Sequence, residues 1–149
     1  MPPVIRTATR DDLPRIVDLL AQLAPDVPDR EDPSRIEIYA AALARTEAQG
    51  QRLLVSDDAR SILGTLALVI VENLSHRGSP YAIIENVVVD EAARGRGHGE
   101  ALIRAAIEQA REAGCYKISL TSNKRRTNAH RFYERLGFQR THEAFRITL

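Results

Sequence analysis

The run Arg94-Gly95-Arg96-Gly97-His98-Gly99 carries the densest chemical signal in the chain. It stands between an apolar stretch ending at Val89-Asp90 and an amphipathic segment that opens near Gly97. A helix N-terminus presents unpaired backbone N–H groups and a partial positive charge. Glycines let phosphate oxygens approach those groups closely, and Arg94 and Arg96 add charge that neutralises an anion. Together these residues make a cradle for a diphosphate. A Walker A loop needs lysine and then serine or threonine after its last glycine, but Glu100-Ala101 stand there. The dinucleotide fingerprint needs its third glycine one residue beyond Gly99. A glycine-rich turn that merely starts a helix is the bland alternative.

Other residues could carry chemistry. Glu85 interrupts an apolar strand pattern, and reads either as a functional carboxylate or as a charge facing solvent. Tyr133 falls on the apolar face of a later helical segment, where a core tyrosine would also sit. Lys124-Arg125-Arg126 form a basic cluster that is either a nucleic-acid contact or a solvated group. His76, His98, His130 and His142 show no ligand spacing with Cys115 or a carboxylate pair, so no metal site is expected. Cys115 reads as a small core residue, since no helix N-terminus activates it.

The elements that must position these groups follow from periodicity. Val4-Ile5 begin a short strand. Leu13, Ile16, Val17, Leu20 and Leu23 recur at helical spacing, with Pro14 tolerable only in the first turn. Ser34 and Glu37 have the form of a capping box for a second helix that stops at Gly50. Leu53-Leu54-Val55, residues 62–72 and residues 81–89 read as strands, the first two joined by a turn at Asp57-Asp58. Ile103, Ala106, Ile107 and Ala110 define a helix face ended by Gly114. Residues 117–120 make a further strand. Ala129, Phe132, Tyr133 and Leu136 mark a last helix, and residues 138–149 read as a closing strand. The order β-α-α-β-β-β-α-β-α-β predicts one α/β domain over residues 3–149: a mixed, mostly antiparallel twisted sheet flanked by helices.

Arg94-x-x-Gly97-x-Gly99 resembles the acetyl-CoA signature of the GNAT N-acetyltransferase superfamily. The run from Ala129 to Phe138, with its Phe132-Tyr133 and Gly137-Phe138 pairs, resembles that family's terminal block, and the element order also matches. The resemblance implies that acetyl-CoA, as co-substrate, lies between the strand before the glycine loop and the next strand. Backbone groups of Val87 and Val89 would pair with the pantetheine arm. A backbone N–H of Val87 or Val88 would polarise the thioester carbonyl. Arg94, Gly95, Arg96, Gly97, His98 and Gly99 would hold the diphosphate. Asn123 and Arg126 would add cofactor contacts, Arg126 standing where many members carry asparagine. Tyr133 would be the acid that protonates the departing thiolate. Glu85 would be the base acting through water, with Glu72 a rival.

The resemblance therefore implies an acetyl-CoA-dependent N-acetyltransferase whose acceptor is a primary amine of a small molecule, attacked directly. Asp26, Asp29 and residues 73–80 are expected to line the acceptor pocket. A non-catalytic acyl-CoA sensor and a protein lysine or N-terminal acetyltransferase are the alternatives. Across the 149 residues the net charge is +1, so no global field draws nucleic acid or an acidic membrane surface, and neither is expected as a partner. A single cysteine excludes an internal disulfide. No apolar run approaches the ~20 residues that span a bilayer, and residues 1–10 lack the apolar core of a secretion signal. A cytoplasmic location and a possible homodimer complete the expectations.

Overall fold

The computed structural model describes residues 2–23 and 30–149. Five strands form one sheet in sequence order: β1 Val4–Thr7, β2 Gln51–Asp57, β3 Ile62–Val71, β4 Tyr81–Val89 and β5 Ile118–Leu120. The first three pairings are antiparallel and β4 with β5 is parallel. The β2–β3 turn is closed as its residue types require. Asp57 Oδ1 accepts from the Ala59 amide at 2.7 Å, and Asp58 Oδ1 accepts from Arg60 and Ser61 amides at 3.0 Å.

Among the described residues, four helices of nine or more residues flank the sheet: α1 Leu13–Ala21, α2 Ile36–Ala48, α3 His98–Glu112 and α4 Thr127–Arg135. The long amphipathic α3 buries Leu102, Ile103, Ala106 and Ala110 against Leu54, Leu66, Leu68 and Ile84 on one sheet face. On the opposite face α1 packs Ile16 and Leu19 onto Val55, Ile62 and Val88. Each fully buried leucine, isoleucine or valine among them contributes roughly 1.5–3 kcal/mol relative to exposure. Arg15 of α1 donates to the Ile62 carbonyl at 2.9 Å and pairs with Asp90, fixing the point where β4 ends.

Two local expectations are corrected. Ser34 and Glu37 make no capping box. Pro33–Arg35 form a 3-10 turn whose cap is Asp32, accepting from the Ser34 amide at 3.0 Å. Glu37 reaches Arg10 at 3.0 Å instead. The closing strand is also absent, since residues 138–149 carry no ladder bond. A strand needs a partner as well as a pattern, and among the described residues the segment has none. The mixed, mostly antiparallel sheet flanked by helices is otherwise as the sequence predicts.

Candidate active site

The sheet parts between its last two strands. β4 and β5 pair at Ala82–Ile118, Ile83–Ser119 and Ile84–Leu120, and then pairing stops. Just beyond, β4 carries an extra residue. Glu85 faces Ala67 and Val88 faces Thr65, so Asn86 and Val87 together oppose Leu66. Asn86 takes φ 55°, a left-handed conformation that asparagine tolerates better than most residues. The bulge changes which side chains share a face. Ile84 and Val87 both border the α3 core, while Val88 turns to the α1 core. It also bends β4 away from β5. The gap is a cleft of about 420 Å³, lined among others by Glu85, Asn86, Val87, Ser122, Arg126 and Tyr133.

The glycine loop lies where β4 delivers it. Asp90 caps a 3-10 turn at Glu91–Ala93, accepting from the Ala92 amide at 2.8 Å. The Arg15 hydrogen bond holds the Asp90 carboxyl below the usual carboxylate range. Gly95 and Gly97 then take φ 77° and 88°, which glycine alone adopts without strain. A Cβ at either would meet nothing within 4 Å, so their near side is open. Gly99 serves packing instead: a Cβ there would sit 3.4 Å from Phe132 and 3.5 Å from Val89. The first bond of α3 runs from the Ala101 amide to the Gly97 carbonyl at 3.0 Å. The amides of His98, Gly99 and Glu100 are therefore the unpaired donors of that helix end. Arg94 and Arg96 are exposed beside them.

His98 turns its imidazole inward. Its Nδ1 lies 2.7 Å from Ser56 Oγ, and the ring is buried. Burial, with help from the Arg96 charge, lowers its pKa and keeps the imidazole neutral. Only the backbone of His98 faces the cradle.

Tyr133 borders the cleft from α4. Its ring packs edge-on to Phe138 at 6.1 Å and tilted to Phe132 at 5.3 Å. Among the described residues its hydroxyl has no hydrogen-bond partner. Burial raises its pKa, opposed by the Arg126 charge, so the hydroxyl keeps its proton. Core packing and a free donor thus coexist in one side chain. Glu85 is exposed at the cleft, across from Ala67. Glu72 follows β3 and is not in the lining. Asn123 lines the cleft, but its side chain accepts from the Arg125 amide at 2.9 Å and shapes the turn into α4. His130 supports the same turn, its Nε2 lying 2.8 Å from the Asn123 carbonyl.

The expected acceptor residues stand differently. Asp26 and Asp29 lie outside the described residues. Residues 73–80 pack at the start of β4, where the His76 ring stacks on Tyr116 at 3.7 Å, and none of them lines the cleft. Asn86, Thr121 and Ser122 of the cleft escaped the sequence reading. Asn86 makes the bulge, and only the register of β3 reveals it. Ser122 has a buried hydroxyl in the lining without any partner among the described residues. Buried polar groups are almost always paired, so a water or a ligand in the cleft is its natural partner. Arg125, read only as part of a basic cluster, also lines the cleft.

The sequence profile of the Acetyltransferase (GNAT) family matches residues 13–138, and the chain belongs to that family. Its fold matches a structure of a proposed acetyltransferase from Agrobacterium tumefaciens str. C58 with a TM-score of 0.88 and 37% identity, covering 98% of this chain and 99% of that one. Glucosamine 6-phosphate N-acetyltransferase 1 of Oryza sativa subsp. japonica is 37% identical over 121 residues, 80% of this chain and 70% of that protein. Aminoalkylphosphonate N-acetyltransferase of Salmonella typhimurium is 36% identical over 87 residues, 58% of this chain and 54% of that protein. The chain is an acyltransferase enzyme, and its family generally uses acetyl-CoA. No helix among the described residues is long and apolar enough to cross a membrane.

Proposed function

We propose that this enzyme transfers the acetyl group of acetyl-CoA to the primary amine of a small molecule by direct attack. The observation that carries the reading is the parting of β4 and β5 beyond Ile84 and Leu120, with the Asn86 bulge beside it and the α3 N-terminus at its end. The residues present fit the donor. Open glycines and unpaired amides suit a pyrophosphate, unpaired backbone beyond Ile84 suits a pantetheine arm, and the Ser122 hydroxyl lacks a partner.

Amides of His98, Gly99 and Glu100, with Arg94 and Arg96, hold the diphosphate; Gly95 and Gly97 leave room for it. Val87 and Val89 offer backbone groups to the pantetheine, and the Val87 or Val88 amide polarises the thioester carbonyl. Arg126 and Asn123 flank the same arm. Glu85 accepts a proton from the ammonium through water, freeing the nitrogen lone pair. The C–N bond forms, the C–S bond breaks, and Tyr133 gives its proton to the thiolate. The second proton, shed by the nitrogen as the amide forms, passes through water to the Tyr133 oxygen.

The acceptor reading is supported by the two relatives named above, which are named for amines that also carry phosphate or phosphonate. The cleft offers Arg125 and Arg126 against the single carboxylate of Glu85. Amino sugars and aminoalkyl compounds bearing phosphate or phosphonate are therefore the acceptors to test. The assay is release of free CoA thiol across a panel of such amines and their neutral analogues. Turnover of the anionic amines over the neutral ones supports this substrate class; equal turnover contradicts it. Residues 3–149 are proposed to form one N-acetyltransferase domain.

A further inference from the structure

The cleft is walled from both faces of the sheet. Tyr133 belongs to the core that α3 and α4 share with Ala82 and Ile84 of β4. Side chains alternate along a strand, so Glu85, next after Ile84, stands on the other face, the one that α1 covers. Leu23, just past the end of α1, reaches the cleft from that same face. The other apolar side chains of the lining, Ile84, Val87, Leu120 and Tyr133, all border the α3 core. Among the described residues Leu23 is therefore the one apolar wall on the α1 face.

Its place is fixed from two directions. The last turn of α1 tightens: the Gln22 amide donates to the Leu19 carbonyl and the Leu23 amide to the Leu20 carbonyl, each at 3.0 Å. The Gln22 side-chain Oε1 accepts from the Glu91 amide at 3.2 Å. Two turns earlier, Arg15 holds Asp90. α1 is thus tied at both ends to the segment where β4 stops and the path to the glycine loop begins. A partly exposed leucine alone needs no explanation. Leu23, 37% exposed, lines a cleft from a doubly anchored helix end.

We infer, on the reaction proposed above, that Leu23 sets the length of the acyl group by closing the α1 side of the cleft to chains longer than acetyl. Tyr133 as acid places the departing sulfur on the α3 face. Glu85 as base places the amine on the α1 face. The acyl carbon stands between them, so the chain it carries points away from Tyr133 and meets Leu23. Gln22 is a positioning residue that holds Leu23 through Glu91. Butyryl carries two carbons more than acetyl, and Leu23→Ala removes three, which makes room for both.

Calorimetry with acetyl-CoA, propionyl-CoA and butyryl-CoA, alongside kcat/KM for each with one amine, tests this. The wild type is expected to prefer acetyl by roughly 10- to 200-fold for each added carbon, the range that one methylene commands in an apolar pocket. Leu23→Ala is expected to shrink the acetyl-to-butyryl ratio about tenfold or more, in affinity and in kcat/KM. Gln22→Ala gives a second reading should that variant not fold. It is expected to shrink the same ratio, whereas a merely structural glutamine would lower stability and leave the ratio alone. A wild type that takes butyryl-CoA as well as acetyl-CoA overturns the inference. So does an unchanged ratio in Leu23→Ala, including one in which only the preference among amines moves, which would set Leu23 against the acceptor. In either case acetyl-CoA still binds and the proposed reaction stands. A wild type that binds no acyl-CoA removes that reaction and the role of Leu23 together.

Discussion

Ser56 Oγ and His98 Nδ1 lie 2.7 Å apart in the interior, tying β2 to the first residue of α3. The helix end proposed to grip the donor is thus anchored to the sheet through one neutral imidazole. Burial lowers the His98 pKa in the folded state, so the unfolded chain binds the proton more readily. Stability is then complete above the ordinary histidine value of about 6.5 and falls as pH drops below it. Thermal unfolding from pH 7.5 to 5.5 is expected to show this loss, and His98→Asn, which keeps a polar partner for Ser56, is expected to flatten it. An equal slope in the variant would assign the effect to another group.

Gly97 separates conformation from ligand binding. At φ 88°, with nothing within 4 Å of a Cβ, Gly97→Ala costs backbone strain of about 1–2 kcal/mol and makes no internal clash. Gly97→Asp adds negative charge to the open side. Thermal melts with and without acetyl-CoA are expected to show protection abolished in Gly97→Asp. Retained protection would mean that the phosphates bind elsewhere.

Tyr133→Phe removes a hydroxyl that bonds to no described residue. Its stability is expected to stay within about 0.5 kcal/mol of wild type, while kcat falls by roughly 10²-fold or more, as for loss of a general acid. Binding of acetyl-CoA by calorimetry should be unchanged. Glu85→Gln is expected to lower kcat most at low pH, where the amine is fully protonated, with partial recovery as pH rises. A uniform fall at all pH values would argue for a positioning role instead.

Ser122→Ala distinguishes a structural serine from one awaiting a ligand. Removing an unpaired buried hydroxyl relieves a desolvation penalty of about 1–3 kcal/mol. The melting temperature of the free enzyme is expected to hold or rise, while the KM for donor or acceptor rises. A destabilised variant with unchanged KM would mean that the hydroxyl is paired within the protein.

The strands and the cradle were legible because their signals are local. Alternation marks β2 to β4, and Gly95 and Gly97 announce left-handed turns between a strand and a helix. The bulge at Asn86 was not legible, since an extra residue shows only against the register of β3. The inward turn of His98 depends on Ser56, 42 positions away in sequence. Ser34 resembled a cap because serine and glutamate have the right spacing, but Asp32 before Pro33 starts the turn earlier. Residues 138–149 have a strand's pattern, but alternation alone does not place a partner strand within reach.

The most direct measurement is amide hydrogen exchange with and without acetyl-CoA. Donor bound between β4 and β5, with its diphosphate on the α3 N-terminus, is expected to protect amides of 86–89 and 95–100 together. Protection confined to other segments, or absent at saturating acetyl-CoA, would contradict that placement.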